Sequence, residues 1–87
     1  MPDIRKLFDD ATVAAKSLTK RLGDEDLLQL YALYQQATIG DVQGDRPGLV
    51  DLIAGAKHDA WAKLEGMSRV EAMQRYIARV NALKPRT

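Results

Sequence analysis

Apolar residues recur every three or four positions through four separate stretches of this chain, and each stretch reads as one face of an α-helix. The first stripe is Ile4, Leu7, Phe8, Ala11, Ala15, Leu18 and Leu22, with Gly23 as its expected stop. Asp24, Glu25 and Asp26 then place negative charge where a second helix would begin, complementing its positive dipole end. Leu27, Leu30, Tyr31, Tyr34 and Ala37 carry that stripe to Gly40. A third helix is expected from near Asp51, with Ala56, Ala60, Trp61 and Leu64 apolar and Gly66 at its close. Ser68-Arg-Val-Glu71 has the form of a capping box, in which the serine oxygen and the glutamate carboxylate satisfy free backbone N–H groups reciprocally. Val70, Met73, Ile77, Val80 and Leu83 follow at helical spacing, and Pro85 ends the run.

The connections set the topology. Those after the first and third helices are short, which favours antiparallel neighbours, whereas Asp41-Val-Gln-Gly-Asp-Arg-Pro-Gly48 lacks periodicity and carries turn residues. A helix of about fifteen residues is roughly 22 Å long, and about ten extended residues reach roughly 33 Å. The chain can therefore return to its starting end, leaving the second and third helices parallel. The expected architecture is an all-α four-helix bundle, as one domain over residues 1–87.

Composition adds limits. With 87 residues there is room for one modest core, and no cysteine is present to support it by disulfides or thiolate metal ligation. The opening segment has no long apolar run behind a basic start, and no later stretch could span a bilayer, so a soluble protein is expected; the absence of cysteine fits a cytoplasmic one, and a monomer is expected. A formal net charge of +1 argues against a dedicated nucleic-acid binder, which needs a strong basic excess, but leaves room for a local cluster that receives one small anion.

Catalytic chemistry finds little to work with. His58 is the single histidine, Ser68 is accounted for by capping, and Ser17 has no histidine near it in sequence. Asp41, Asp45 and Asp51 do not follow the ligand spacing of a calcium loop, and Gly40, Gly44 and Gly48 follow no strand and form no phosphate loop. No metal site and no cofactor is expected. The informative set is Tyr31, Tyr34, Lys57 and Tyr76. Two tyrosines three apart on one helix share a face and offer rings for stacking and hydroxyls for phosphate or ribose, although tyrosine on an amphipathic helix is more often a core-edge residue.

The order Leu30-Tyr-Ala-Leu-Tyr-Gln-Gln-Ala-Thr-Ile-Gly-Asp41, Arg46-Pro-Gly48, Ala56-Lys-His-Asp-Ala-Trp61, Gly66-Met-Ser68 and Ala72-Met-Gln-Arg-Tyr-Ile77 resembles the acyl-CoA-binding protein family over nearly the whole chain. The resemblance implies an up-down-down-up bundle whose ligand is a long-chain acyl-CoA. It implies that Tyr31 and Lys57 hold the ribose 3′-phosphate, that Tyr34 and Tyr76 surround the adenine and head group, and that Lys16 lies near the ligand. Gln35 is counted with these ligand-binding residues although it stands where many members have lysine, while Ile53 stands where a basic residue is frequent and His58 where an aromatic residue is common. Leu22, Leu27, Leu28 and Ile53 are the expected acyl-chain walls.

The function implied is a carrier and buffer pool for acyl-CoA without chemical conversion, hence not an enzyme. The alternative is a helical protein-interaction module that kept the fold while Gln35, Ile53 and His58 weakened CoA binding. An acyl-CoA enzyme would need a nucleophile and base that this chain does not assemble.

Overall fold

The computed structural model describes residues 3–85; Met1 and Pro2, which open the segment read for a signal, and Arg86 and Thr87, the end of the expected domain span, lie outside them. The described residues form α1 (Ile4–Leu18), a short 3-10 turn (Thr19–Arg21), α2 (Asp24–Thr38), α3 (Leu52–Ala62) and α4 (Arg69–Leu83), with no strand among them. The helix α4 packs between α1 and α2, and α2 in turn lies against α3.

Local chemistry starts each helix. The Asp3 carboxylate accepts from Arg5 N (2.9 Å), and the Asp51 carboxylate accepts from Ala54 N (2.9 Å). Gly23, expected as a stop, is instead the residue before α2, whose first turn carries Asp24, Glu25 and Asp26. The first stripe does not stay α-helical to Leu22: α1 ends at Leu18 and the chain tightens into the 3-10 turn. Only half of the expected capping box forms. Ser68 Oγ accepts from Glu71 N (3.0 Å), but the Glu71 carboxylate pairs with Arg75 one turn ahead (2.7 Å). A cation at the i+4 position draws the carboxylate forward along the helix, away from the cap.

The core is built where the stripes meet: Phe8, Ala11, Ala15 and Leu18 of α1, Leu30, Leu33 and Ala37 of α2, and Ala72, Met73, Tyr76 and Val80 of α4. Trp61 of α3 is also buried, and its indole N–H donates to Gly40 O (2.8 Å). Gln36 is fully buried; its amide N–H groups donate to Asp41 Oδ1 and Met67 O, both at 2.8 Å. Gly66 N donates to the same Asp41 oxygen (2.8 Å) from a left-handed conformation (φ 92°) that favours glycine. Among these contacts, one carboxylate joins the end of α2 to the turn between α3 and α4.

Candidate ligand site

A groove of about 460 Å³ opens between the C-terminal half of α1 and one face of α2, with Tyr76 of α4 at its back; it is lined by Thr12, Ala15, Lys16, Thr19, Leu27, Leu30, Tyr31, Tyr34 and Tyr76. That volume is the size of a small-molecule site. Four of the six residues expected from sequence, Lys16, Tyr31, Tyr34 and Tyr76, therefore face one space. A fifth joins them from α3, since Lys57 holds its ammonium 5.3 Å from the centre of the Tyr31 ring. Exposed Lys57 and half-buried Tyr31 form a cationic, hydroxyl-bearing corner suited to a phosphate.

Phe8 fixes the aromatic side of the groove from beneath. Its ring stacks on Tyr34 at 5.9 Å, tilted by 16°, and meets Tyr76 edge-on at 5.1 Å. Tyr34 and Tyr76 are themselves 6.3 Å apart. Three rings from three helices thus make an apolar wall against which a flat heterocycle can lie. Burial, and secondarily the neighbouring Tyr34, pushes the Tyr76 phenol above its ordinary value, so Tyr76 stays neutral at physiological pH and offers a hydroxyl without charge.

Gln35, the sixth expected residue, is half-buried one turn beyond Tyr31 and does not line the groove. The acyl-chain walls also divide. Leu27 lines the groove and Leu22 packs against the core, while Ile53 stands exposed at the start of α3. Leu28 faces the other way, into a larger cleft of about 870 Å³ among α2, α3 and α4. Three of the charges on that cleft are engaged internally, Arg75 with Glu71, Arg79 with Asp26, and Asp59 with Arg46, while Glu25 and Lys63 also line it. Thr12, Ala15, Thr19 and Leu30 line the groove without having been singled out as site residues. Thr12, Ala15 and Thr19 gave only small size as a signal, which creates space without announcing chemistry, and Leu30 read simply as part of the apolar stripe of α2. His58 sits against the long connection, its Nε2 3.4 Å from Gly44 O, away from the groove-lining set.

Among the described residues no cluster of histidine and carboxylate side chains could hold a metal ion, and no helix is long and apolar enough to cross a membrane. Comparison with known proteins gives this geometry its context. The family described as Acyl CoA binding protein matches residues 5–80. The chain belongs to the acyl-CoA-binding protein family. It is 46% identical over 80 residues to an acyl-CoA-binding protein homolog of Drosophila melanogaster, covering 92% of this chain and 93% of that one. It is 44% identical over 80 residues to an acyl-CoA-binding protein of Brassica napus, covering 92% and 87%. The crystal structure of acyl-CoA-binding protein 2 of Oryza sativa superposes with a TM-score of 0.89 at 42% identity, over 93% of this chain and 90% of that one. The solution structure of an acyl-CoA-binding protein from Babesia bovis gives a TM-score of 0.70 at 32% identity, over 87% and 91%. The up-down-down-up bundle is thus the fold of the acyl-CoA-binding proteins. That family binds without catalysing, so the chain is not an enzyme, and no relative favours the interaction-module alternative.

Proposed function

We propose that the chain acts as one acyl-CoA-binding domain, a monomeric cytoplasmic carrier that holds long-chain acyl-CoA esters in the groove beside α1 and releases them unchanged. The carrying observation is the convergence of Lys16, Tyr31, Tyr34 and Tyr76 on one groove with Lys57 over Tyr31. Lys57 and the Tyr31 hydroxyl take the ribose 3′-phosphate, where a cation and a neutral donor together match a dianion. Tyr34 and Tyr76 supply ring surface to the adenine, and Lys16 neutralises a further phosphate from the α1 side. Gln35, one turn past Tyr31, contributes at most a neutral hydrogen bond at the edge of this set. The acyl chain takes the Leu27 and Leu30 side, where each methylene removed from water contributes about 0.8 kcal/mol. That term makes the ester a better ligand than free CoA. No cofactor enters the reading, because binding and release require no bond to change.

Lys57→Ala is the direct test. It should weaken palmitoyl-CoA binding by about 1.5–3 kcal/mol, the usual loss for a hydrogen bond to a charged group, with the helical circular dichroism unchanged. Equal affinity of the folded variant and the parent would remove Lys57 from the site.

A further inference from the structure

Four large aliphatic side chains stand in solvent where α3 begins: Leu49 is 83% exposed, Val50 101%, Leu52 77% and Ile53 71%. Scattered exposed aliphatics are ordinary on a soluble protein, but a contiguous group marks a surface that meets something apolar. The backbone beneath them is held. Asp51 N donates to Gly48 O (3.2 Å), and the Asp51 carboxylate caps Ala54 N (2.9 Å), which fixes the turn and presents its side chains outward.

The position of this lip relative to the groove follows from the topology. The helices α2 and α3 run parallel, and Lys57 lies over Tyr31. One turn earlier on each helix, Ile53 comes level with Leu27, a groove-lining residue. The α1 end of the groove, marked by Thr19, meets the start of α2 at that same end of the bundle. The exposed aliphatics therefore stand at one mouth of the groove.

The geometry points to Leu49, Val50, Leu52 and Ile53 as a lip that enters the acyl region of a bilayer leaflet and sets the groove mouth at headgroup level. An acyl-CoA ester can then pass between leaflet and groove without its chain crossing water. The passage step rests on the carrier reading given above; the docking does not. A leaflet fits better than a protein partner on size and composition. Specific protein interfaces bury roughly 800 Å² per partner and rely on aromatic and arginine anchors, whereas this lip is four aliphatic side chains. Phospholipid phosphates also suit the cations at this end. Lys57 lies on the same helix face as Ile53, and Lys16, Lys20 and Arg21 lie along the α1 side; none makes an ion pair among the described residues. Asp24 and Glu25 at the start of α2 and exposed Asp51, whose carboxylate is turned to the Ala54 N–H within the lip, offset part of that charge. Apolar insertion therefore carries most of the attraction, and it persists in salt.

The test is flotation of the ligand-free full chain with phosphatidylcholine vesicles, with and without phosphatidylglycerol, at low and high salt. The comparison is a triple variant, Leu49→Ser with Val50→Ser and Leu52→Ser, in which Ile53 is kept because it stands level with Leu27 at the groove mouth. The parent should float with both vesicle types, and the triple variant's partition coefficient should fall at least about tenfold. Its circular dichroism and its solution affinity for palmitoyl-CoA should be unchanged, while its uptake of palmitoyl-CoA from loaded vesicles slows. A parent that fails to float, or a variant that floats equally, overturns the lip. So does adsorption confined to phosphatidylglycerol at low salt, or a lip-dependent dimer in sedimentation equilibrium without vesicle binding. A chain that floats but does not bind palmitoyl-CoA keeps the docking surface and loses the carrier reading. A chain that binds the ester but does not float loses the docking surface alone.

Discussion

Lys57 and Tyr31 come from different helices, and their meeting at 5.3 Å is what makes two ordinary surface residues a corner suited to the proposed phosphate contact. The role proposed for the Tyr31 hydroxyl in that corner can be tested separately. Tyr31→Phe should cost more affinity for palmitoyl-CoA than for the dephospho-CoA ester that lacks the 3′-phosphate, and calorimetry on both ligands reads the difference directly. Equal losses would assign the hydroxyl to another contact. Gln35→Lys tests the neighbouring turn. A lysine there adds a cation beside Tyr31, and glutamine and lysine are nearly equal helix formers, so the fold is undisturbed. Binding of palmitoyl-CoA should tighten by on the order of 1 kcal/mol at low salt and lose most of that gain at high salt. No tightening at low salt would mean that position 35 points away from the ligand. The tyrosines and lysines that meet at the candidate groove stood out in the sequence because aromatic and cationic residues carry their chemistry in their identity. Thr12, Ala15 and Thr19 were not, since what they supply is vacant volume, and volume depends on which helix lies opposite.

At the scale of elements, the connection from α2 to α3 has no helix of its own yet is tied at several points. Arg69 donates to Ile39 O (2.9 Å), the Trp61 indole to Gly40 O, and Arg46 grips the Asp59 carboxylate with two bonds at 2.8 and 3.0 Å. The Arg46 guanidinium lies so close to Gly55 that a Cβ there would come within 2.9 Å of it. Asp41 ties the connection's start to the α3–α4 turn. The Gly66 N–H, and then the Gln36 amide, hold its carboxyl below the usual carboxylate range. A depressed folded value means that the ionised form stabilises the fold above the ordinary carboxylate range and that this contribution is lost as pH falls through the folded value. Asp41→Asn should therefore flatten the acid limb of the denaturant midpoint plotted against pH, while Asp59, which Arg46 also holds low, keeps its own share in both proteins. Superimposable acid limbs would remove Asp41 from the linkage. The sequence identified Asp41 as a turn residue, but a bond to Gly66, far along the chain, leaves no local pattern to read. Leu27 and Leu28 show the same limit. Adjacent helical residues point about 100° apart, and with α2 covered by α4 on one side and α3 on the other, the apolar pattern alone does not say which leucine meets the groove.

The molecule as a whole is a slab of 41 × 28 × 15 Å with a radius of gyration of 13.4 Å, against about 12 Å expected for a compact chain of this length. A slab this thin keeps its core narrow and leaves grooves open on its sides. The four-helix architecture and the parallel run of α2 and α3 were legible from stripe spacing and one long connection, because both follow from chain geometry. The proposal that the smaller groove takes the ligand rests on the residues that resemble the family, since the larger cleft is otherwise the more prominent cavity. The central claim is that one groove holds the head group and the acyl chain of the same molecule together. Titration calorimetry with palmitoyl-CoA, free CoA and palmitate tests it most directly. Binding of palmitoyl-CoA at one to one, tighter than either fragment by at least tenfold, is the predicted result, because the ester alone engages both the phosphate corner and the apolar side. Palmitate or free CoA binding as tightly as the ester would contradict it.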